Sequence, residues 1–262
     1  MSTAAVLLIN AGAVVGALTA LWAVSVAVRD ASIIDIAWGS SFVLIAWITR
    51  FTADGYEPRQ NVLVALTTIW GLRLSFYLAK RNLGHGEDPR YVSMRKRGGE
   101  SWWWTSLFKV FWLQGALAWT VSLPVQLGQI PESEGAFTVL VVVGGIVWLF
   151  GLGFEAVGDA QLAAFKRDPA NEGKILDTGL WRYTRHPNYF GDACVWWGLF
   201  LIAASVPLGL IGVVGAALMT YLLVNVSGKA LLERRMGRKR PEYEAYVRKT
   251  SGFIPRPPRE NG

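Results

Sequence analysis

The residues best suited to chemistry lie in segment 179–192, where basic, aromatic, amide and carboxylate side chains follow one another closely. Pro187 suits the first turn of a helix, because the N–H that proline lacks is not needed there. Asn188 and Asp192 would then lie one turn apart on one helical face. A helix N-terminus beside basic side chains suits phosphate groups. We therefore predict cofactor binding here, by Tyr183, Arg185, His186, Asn188 and Asp192; the alternative is a positively charged membrane anchor.

A second group, upstream, repeats the one-turn spacing with Glu155 and Asp159, and Lys166 follows about two turns later. Two neighbouring carboxylates can bind a metal, ribose hydroxyls or an amide. The chain has two histidines and one cysteine, which leaves too few ligands for a metal site. We predict recognition of ribose and carboxamide groups, and no metal.

Two further segments carry candidate cofactor ligands. The first basic loop contains Arg90 and Tyr91, and its charges of both signs favour an ordered loop. The C-terminal segment offers aromatic and basic groups that can hold an adenine ring and phosphates, or can equally lie on lipid as an amphipathic helix. Its candidates are Lys229, Glu233, Arg235 and Tyr246. No glycine-rich dinucleotide or Walker A motif is present, so any dinucleotide binds without a Rossmann domain.

Long apolar segments position these groups. Apolar residues make up 52% of the 262 positions, and the runs are continuous rather than alternating. Spanning a bilayer takes roughly 20 helical residues. We predict an all-α polytopic membrane bundle with about seven transmembrane helices, forming one domain over residues 1–262. The predicted spans are 4–28, 33–49, 61–79, 102–127, 136–154, 189–206 and 208–225.

The distribution of basic residues predicts an orientation. Six Lys or Arg lie in 80–97, five in 166–185 and ten in 229–259, whereas 128–135 has none. Cytoplasmic loops carry the excess of Lys and Arg, so we place the N-terminus outside and the C-terminus in the cytoplasm. The cofactor-binding loops would be about 80–100, 155–192 and 229–255. The net charge of +7 then reflects these loops and anionic lipid, rather than nucleic acid.

At this point the motifs resemble a known family. Residues 185–192, Arg-His-Pro-Asn-Tyr-Phe-Gly-Asp, resemble the C-terminal region of the steroid 5α-reductases and sterol reductases. Residues 87–91, Glu-Asp-Pro-Arg-Tyr, resemble bacterial relatives of those enzymes. The similarity covers about residues 35–255. Isoprenylcysteine carboxyl methyltransferases share an Arg-His-Pro variant and a tail with a glutamate followed by paired tyrosines, so the motif does not choose among these enzymes.

The 5α-reductase resemblance implies seven membrane helices with NADPH held among their cytoplasmic ends. Asp159, Asn188 and Asp192 match cofactor-binding positions, with Asp192 replacing a glutamate. Glu155 stands where that family has asparagine, and Lys166 where it has arginine, which weakens the assignment of those two.

The resemblance also implies two catalytic residues. Tyr77 falls in register with a tyrosine that binds the substrate carbonyl, and a buried hydroxyl there would stabilise the enolate formed by hydride transfer. Asp35 is the candidate partner carboxylate because it is acidic and lies within the second span. The alternatives are an interfacial aromatic for Tyr77 and a structural ion pair with Arg73 for Asp35.

We therefore expect NADPH-dependent reduction of the carbon–carbon double bond of a 3-oxo-Δ4 steroid or similar lipid enone. The partners would be that substrate and membrane lipids, with no nucleic acid and no obligate protein partner. The expected location is a bacterial inner membrane, with the cofactor on the cytoplasmic side. The alternatives are an S-adenosylmethionine-dependent membrane methyltransferase and a non-catalytic lipid-binding or transport protein.

Overall fold

The computed structural model of the chain describes residues 1–226 and 242–259. Within these ranges the protein is helical and has no β-strand, apart from an isolated parallel bridge between Thr184 and Ser251. A helix pairs its backbone N–H and C=O groups within one segment, which apolar runs in hydrocarbon require. The prediction of an all-α protein is confirmed.

The helices of the described residues follow one another with short connections. A π-helical turn (Leu107–Trp112) joins the fifth helix to the sixth, and a 3₁₀ segment (Pro207–Gly212) precedes the tenth. In chain order they are α1 (Thr3–Val28), α2 (Ile33–Thr52), α3 (Glu57–Asn82), α4 (Pro89–Gly98), α5 (Trp102–Ser106), α6 (Leu113–Val121), α7 (Leu123–Gln129), α8 (Phe137–Arg167), α9 (Pro187–Ala203), α10 (Val213–Tyr221) and α11 (Glu242–Lys249).

Five segments of the described chain are long and apolar enough to cross a membrane: α1, α2, α3, Thr138–Arg167 and Pro207–Val226. A sixth is the pair Pro89–Val121 and Leu123–Gln129, bent by 48°. The bend falls beside Pro124, which has no N–H for the preceding turn. These are the helices of a multi-pass membrane protein. The count of seven spans and the orientation stay predictions.

The chain divides into two compact units, and each is described by itself below. Unit 1 comprises residues 1–141 and 199–215, and unit 2 comprises 142–198 and 216–262. The assignment of residues 1–262 to one functional domain stays a prediction.

In unit 1, α2 and α3 pack closely and antiparallel. A Cβ on Gly39 would lie 2.3 Å from the carbonyl oxygen of Gly71, so the two backbones touch where only glycine fits. Ser40 lies 2.8 Å from Ser75 between their hydroxyl oxygens, and farther along α2 the Trp47 indole donates to a hydroxyl of α3. Small residues permit such close approach between membrane helices. This contact fixes which end of α3 lies beside the start of α2.

In unit 2, α8 and α9 also meet through glycines. A Cβ on Gly191 would lie 2.5 Å from the backbone nitrogen of Glu155 and from the oxygen of Gly151. Farther along α9, a Cβ on Gly198 would lie 2.7 Å from the oxygen of Gly144. The crossing therefore holds α9 against the polar part of α8, where the predicted cofactor ligands lie.

Candidate functional site

In unit 1 the predicted catalytic residue Asp35 is the centre of a hydrogen-bonded cluster. Its two carboxylate oxygens accept hydrogen bonds from Arg90 Nη2 at 2.5 Å and from the Tyr91 hydroxyl at 2.7 Å. The Tyr91 oxygen also accepts from Gln114 Nε2 at 3.2 Å. Charge-assisted hydrogen bonds of this kind are roughly twice as strong as neutral ones. The cluster thus joins the basic helix α4 to α2 and α6, whose other residues are mostly apolar.

Capping and ion pairing fix the loop that carries Arg90 and Tyr91. Asp88 is the N-cap of α4, and its side chain accepts from the backbone N–H of Arg90 at 2.8 Å. Asp88 and Asp35 share the guanidinium of Arg90, since Arg90 Nε donates to Asp88 at 2.9 Å. An N-cap carboxylate satisfies a helix N–H that has no partner within the helix. The sequence Asp-Pro-Arg-Tyr therefore begins a helix and directs its next two side chains toward Asp35.

A second ion pair secures the same loop. Glu87 accepts from Arg95 at 2.7 Å and from the backbone N–H of Ala31 at 2.8 Å. Arg95 also donates to the carbonyl of Arg29, a residue in the left-handed conformation (φ 56°) at the end of α1. The loop is thus tied to the α1–α2 connection, as the charges of both signs in its sequence predicted.

The other predicted catalytic residue, Tyr77, is half-buried on α3. The guanidinium carbon of Arg81, one turn later, lies 5.9 Å from the centre of its ring. The antiparallel register of α2 and α3 puts Tyr77 at the same end of the helix pair as Asp35. This placement agrees with their predicted association but leaves their roles as predictions.

In unit 2 the predicted cofactor ligands gather where α8 crosses α9. Glu155 and Asp159 are buried on α8, and Asp192 is buried on α9. Asn188 Nδ2 donates to Asp159 Oδ1 at 3.2 Å. α9 begins at Pro187, as the sequence indicated, so Asn188 lies in its first turn. Carboxylate and amide groups from two helices are therefore brought together at the start of α9.

The segment before α9, residues 179–186, is held between α8 and the C-terminal part of the chain, and we call this arrangement the clasp. Gln161 on α8 accepts from the backbone N–H of Leu180 at 3.0 Å, and the Trp181 indole donates to the carbonyl of Gly158 at 3.1 Å. From the other side, the Tyr246 hydroxyl donates to the carbonyl of Trp181 at 2.5 Å. The three elements fix the approach to the first turn of α9.

Two predicted phosphate ligands are buried in this clasp. Arg185 Nη1 donates to the carbonyls of Val247, at 3.0 Å, and Thr250, at the end of α11. The last carbonyl groups of a helix have no N–H partner within that helix. The Arg185 guanidinium donates to them and so caps the C-terminal end of α11. His186 stacks on Tyr189, with ring centres 5.5 Å apart.

A cavity of about 550 Å³ opens beside the clasp, entirely within unit 2. Leu162 and Phe165 continue along α8 beyond Asp159 to its wall. Small-molecule cavities fall in the range of about 300–1,000 Å³. Basic, aromatic and acidic side chains complete the lining, and they include Lys166, Lys174, Arg185, His186, Trp181, Tyr243, Tyr246, Asp168 and Glu172.

The structure divides the predicted site residues into three sets. Asp35, Arg90 and Tyr91 form the cluster of unit 1, with Tyr77 at the same end of α3. Glu155, Asp159, Asn188 and Asp192 lie at the α8–α9 crossing. Lys166, Arg185, His186 and Tyr246 line the cavity, and Tyr183 is 43% exposed. Lys229, Glu233 and Arg235 lie outside the described residues.

Several residues of these sites were not identified from the sequence, among them Gln114, Trp181 and Lys174. Gln114 is an amide within an apolar helix, which is a usable signal. Trp181 lies within the motif but resembles an interfacial aromatic. Lys174 sits in a polar loop, and nothing in its spacing indicates that it lines a cavity.

Comparisons with known proteins agree with a relationship over most of the chain. The sequence profile of the family described as a protein of unknown function (DUF1295) matches residues 21–250. An uncharacterized protein of Schizosaccharomyces pombe is 25% identical, over 90% of this chain and 76% of that protein. No solved structure matches the chain.

Proposed function

Because the chain belongs to DUF1295, a membrane family resembling the steroid 5α-reductases, we propose that it is an NADPH-dependent reductase of an activated carbon–carbon double bond in a steroid-like lipid. The substrate class is a 3-oxo-Δ4 steroid or a similar lipid enone that enters from the bilayer. Nucleotide binding is assigned to unit 2, on the cytoplasmic side of a bacterial inner membrane. Polarisation of the carbonyl is assigned to unit 1.

The observation that carries the proposal is the cavity of unit 2. Four basic side chains line it together with Phe165, Trp181 and two tyrosines, and it continues along the helix that carries Asp159. Phosphates require cations, an adenine ring requires aromatic or apolar walls, and ribose and carboxamide groups require carboxylates and amides. All three kinds of group occur along one stretch of unit 2, so its residues fit a nicotinamide dinucleotide.

The proposed contacts follow from this chemistry. Lys166 and Lys174 would attract phosphates, because both are exposed cations on the cavity wall. Trp181 and Tyr243 would flank a purine ring. Asp159 and Asn188, already hydrogen bonded to each other, would bind hydroxyl or amide groups near the start of α9.

NADPH held in unit 2 would supply a hydride for the β-carbon of the enone and be left as NADP⁺. The chain must stabilise the negative charge that develops on the carbonyl oxygen until a proton from solvent completes the reduction at the α-carbon. Two phenols are candidates for this hydrogen bond: Tyr77, from the family resemblance, and Tyr91, from its contact with Asp35. Tyr91 has a single hydroxyl proton, which it donates to Asp35, and its oxygen accepts from Gln114. For Tyr91 to polarise the substrate, that proton must turn from Asp35 to the carbonyl oxygen, where a positioned donor stabilises the developing charge.

The first experiment measures thermal unfolding of the detergent-purified chain with NADPH, NADH or S-adenosylmethionine. A ligand at 100 times its dissociation constant adds about 2.7 kcal/mol of stability. Stabilisation by a nicotinamide dinucleotide is the expected result, followed by loss of nicotinamide absorbance with a steroid enone. Stabilisation by S-adenosylmethionine alone would replace the proposal with a membrane methyltransferase, and no stabilisation by any of the three would refute cofactor binding.

A matched pair of variants tests the cofactor site. Asn188→Ala removes the amide beside Asp159, and we expect the NADPH dissociation constant to rise about tenfold, or about 1.4 kcal/mol. Asn61→Ala removes an amide of unit 1 that pairs with Arg50, and it should leave the NADPH affinity unchanged. Equal affinity of Asn188→Ala and the wild type would place the site elsewhere.

A second pair decides which phenol polarises the substrate. Removing one donor to a developing oxyanion costs about 2.7–4 kcal/mol, or a factor of about 10²–10³ in rate. Either Tyr91→Phe or Tyr77→Phe should show this loss in kcat while NADPH affinity stays at the wild-type value. If both variants reduce the enone at the wild-type rate, neither phenol contacts the reacting carbonyl.

A further inference from the structure

A row of aromatic rings lies exposed on the outer surface of unit 1. Trp104, Phe108 and Trp112 follow one another at four-residue spacing across the π-helical turn. Their rings meet edge to face, with centres 6.3 Å apart for the first two and 4.8 Å apart for the second two. Their exposed fractions are 47%, 48% and 36%. We call this row, together with Trp103, which is 58% exposed, the aromatic face.

Lys109 lies on the same exposed surface, next to Phe108 in the chain. No hydrogen bond or ion pair to its ammonium group forms among residues 1–226 and 242–259. Two basic side chains elsewhere in unit 1 are paired: Arg59 donates to four backbone carbonyls, including those of Gly128 and Ser133, and Arg90 pairs with Asp35. An exposed cation within a candidate membrane span is costly unless its charge reaches the interface or meets an anion. The ammonium group of Lys109 is therefore available to an anion at the interface.

The start of this span is itself basic. Lys96 and Arg97 are exposed in the last turn of α4, which leads through one 3₁₀ turn into α5, and the acidic Glu100 is exposed there too. The Trp22 indole of α1 donates to the Trp103 carbonyl at 2.8 Å, which anchors α5 against α1. Tryptophans are enriched at the membrane–water interface, so this level is where headgroups lie.

We propose that the aromatic face and Lys109 form a binding site for an anionic phospholipid. Lys109 follows the first residue of α5 by seven positions, or about 10 Å along a helix. A lysine at that depth extends its stem along the apolar surface and brings its charge toward the headgroup level. There it meets the headgroup phosphate, while an acyl chain packs along the aromatic rings. The exposed Lys96 and Arg97 add positive charge near the same interface and favour an anionic headgroup over a zwitterionic one. The site stands independently of the proposed reductase activity.

The test is native mass spectrometry of the full chain in a non-ionic detergent. Phosphatidylglycerol and phosphatidylcholine with identical acyl chains are titrated separately, and bound lipids per protein are counted. We expect the wild type to bind phosphatidylglycerol more tightly than phosphatidylcholine, with Lys109 contributing about fivefold to that preference, the weight of one lysine at an anionic surface. Lys109→Met keeps the length and apolar stem but removes the charge, so the preference should fall by that factor, while Lys109→Arg should retain it.

Two controls make the outcome decisive. Lys249→Met removes an exposed cation of α11 in unit 2 and should leave the lipid preference unchanged. Excess glycerol phosphate should not displace the lipid, because it lacks the acyl chain that packs on the rings. The proposal is overturned if the wild type shows no preference, if Lys109→Met keeps it undiminished, if Lys249→Met lowers it equally, or if glycerol phosphate displaces the lipid.

Discussion

The two units use their charged side chains in different ways. In unit 1, Glu87 and Arg95 face each other, and Asp35 faces Arg90. In unit 2, basic side chains such as Lys174 stand along the wall of a cavity, together with aromatic rings. The paired groups of unit 1 hold a loop in place, whereas the groups of unit 2, which include the Arg185 that caps α11, also border a space large enough for a ligand.

In the proposed enzyme, the charged groups of unit 1 therefore hold a loop in position, and those of unit 2 bind the dinucleotide. The loop of unit 1 is held by an N-cap, two ion pairs and a hydrogen bond to the backbone, so its tyrosine has a fixed position before any substrate arrives. Preorganised groups of this kind contribute most to catalysis. The cavity of unit 2 instead offers polar groups of several types along one helix, which is the requirement for holding a dinucleotide. Variants of the two units should therefore fail in different ways.

The largest effect should come from the α8–α9 crossing of unit 2. Gly191→Ala places a methyl group 2.5 Å from backbone atoms of α8, so the helices must separate. Overpacking of this kind costs about 1–3 kcal/mol, occasionally more, and unfolding in detergent should begin roughly 5–10 °C lower. Because Asn188 and Asp159 meet at this crossing, stabilisation by NADPH should be lost as well.

The matched control lies on α8, the helix that packs against Gly191. A Cβ on Gly153 meets nothing within 4 Å, so Gly153→Ala should be neutral or slightly stabilising through helix propensity. If Gly191→Ala melts with the wild type and still responds to NADPH, the glycine contact does not position the site.

A smaller effect should come from the loop of unit 1. Glu87→Gln keeps the shape of the side chain but removes the charge that pairs with Arg95. The pair is partly buried, so we expect a loss of about 1–2 kcal/mol, between the values for exposed and buried pairs. Thermal unfolding measures it, with the exposed Glu100→Gln as the control that should change nothing. The affinity for NADPH should stay at the wild-type value. If Glu87→Gln lowers the affinity for NADPH as well as the stability, the loop of unit 1 contributes to cofactor binding and the assignment of binding to unit 2 alone is wrong.

The sequence predicted best where local rules decide the outcome. The start of α9 at Pro187 followed from the preference of proline for the first helical turn, and the one-turn spacings of the carboxylates placed them on helices. The apolar span predicted for α8 ends near residue 154, whereas the helix continues to Arg167, as the helical spacing of Glu155, Asp159 and Lys166 indicated.

Tertiary contacts could not be predicted in the same way. Asp35 was chosen as an acidic residue in a span, but its partners Arg90 and Tyr91 lie 55 and 56 positions later in the chain. Nothing in local spacing encodes a pairing across such a separation. The cavity of unit 2 likewise arises from segments on both sides of α9, so Lys174 carried no signal.

The smallest effect on stability should come from Lys174, and this variant also tests most directly whether unit 2 binds the cofactor. Lys174→Gln removes one exposed charge from the cavity wall, so stability should change by less than about 0.5 kcal/mol. If the Lys174 ammonium binds the additional phosphate of NADPH, Lys174→Gln should raise the dissociation constant for NADPH about fivefold, or about 1 kcal/mol. The dissociation constant for NADH should then stay the same. Quenching of tryptophan fluorescence during titration with each nucleotide measures both constants. An equal rise for both nucleotides would assign Lys174 to the phosphates that the two share, and no rise for either would remove it from the cofactor site.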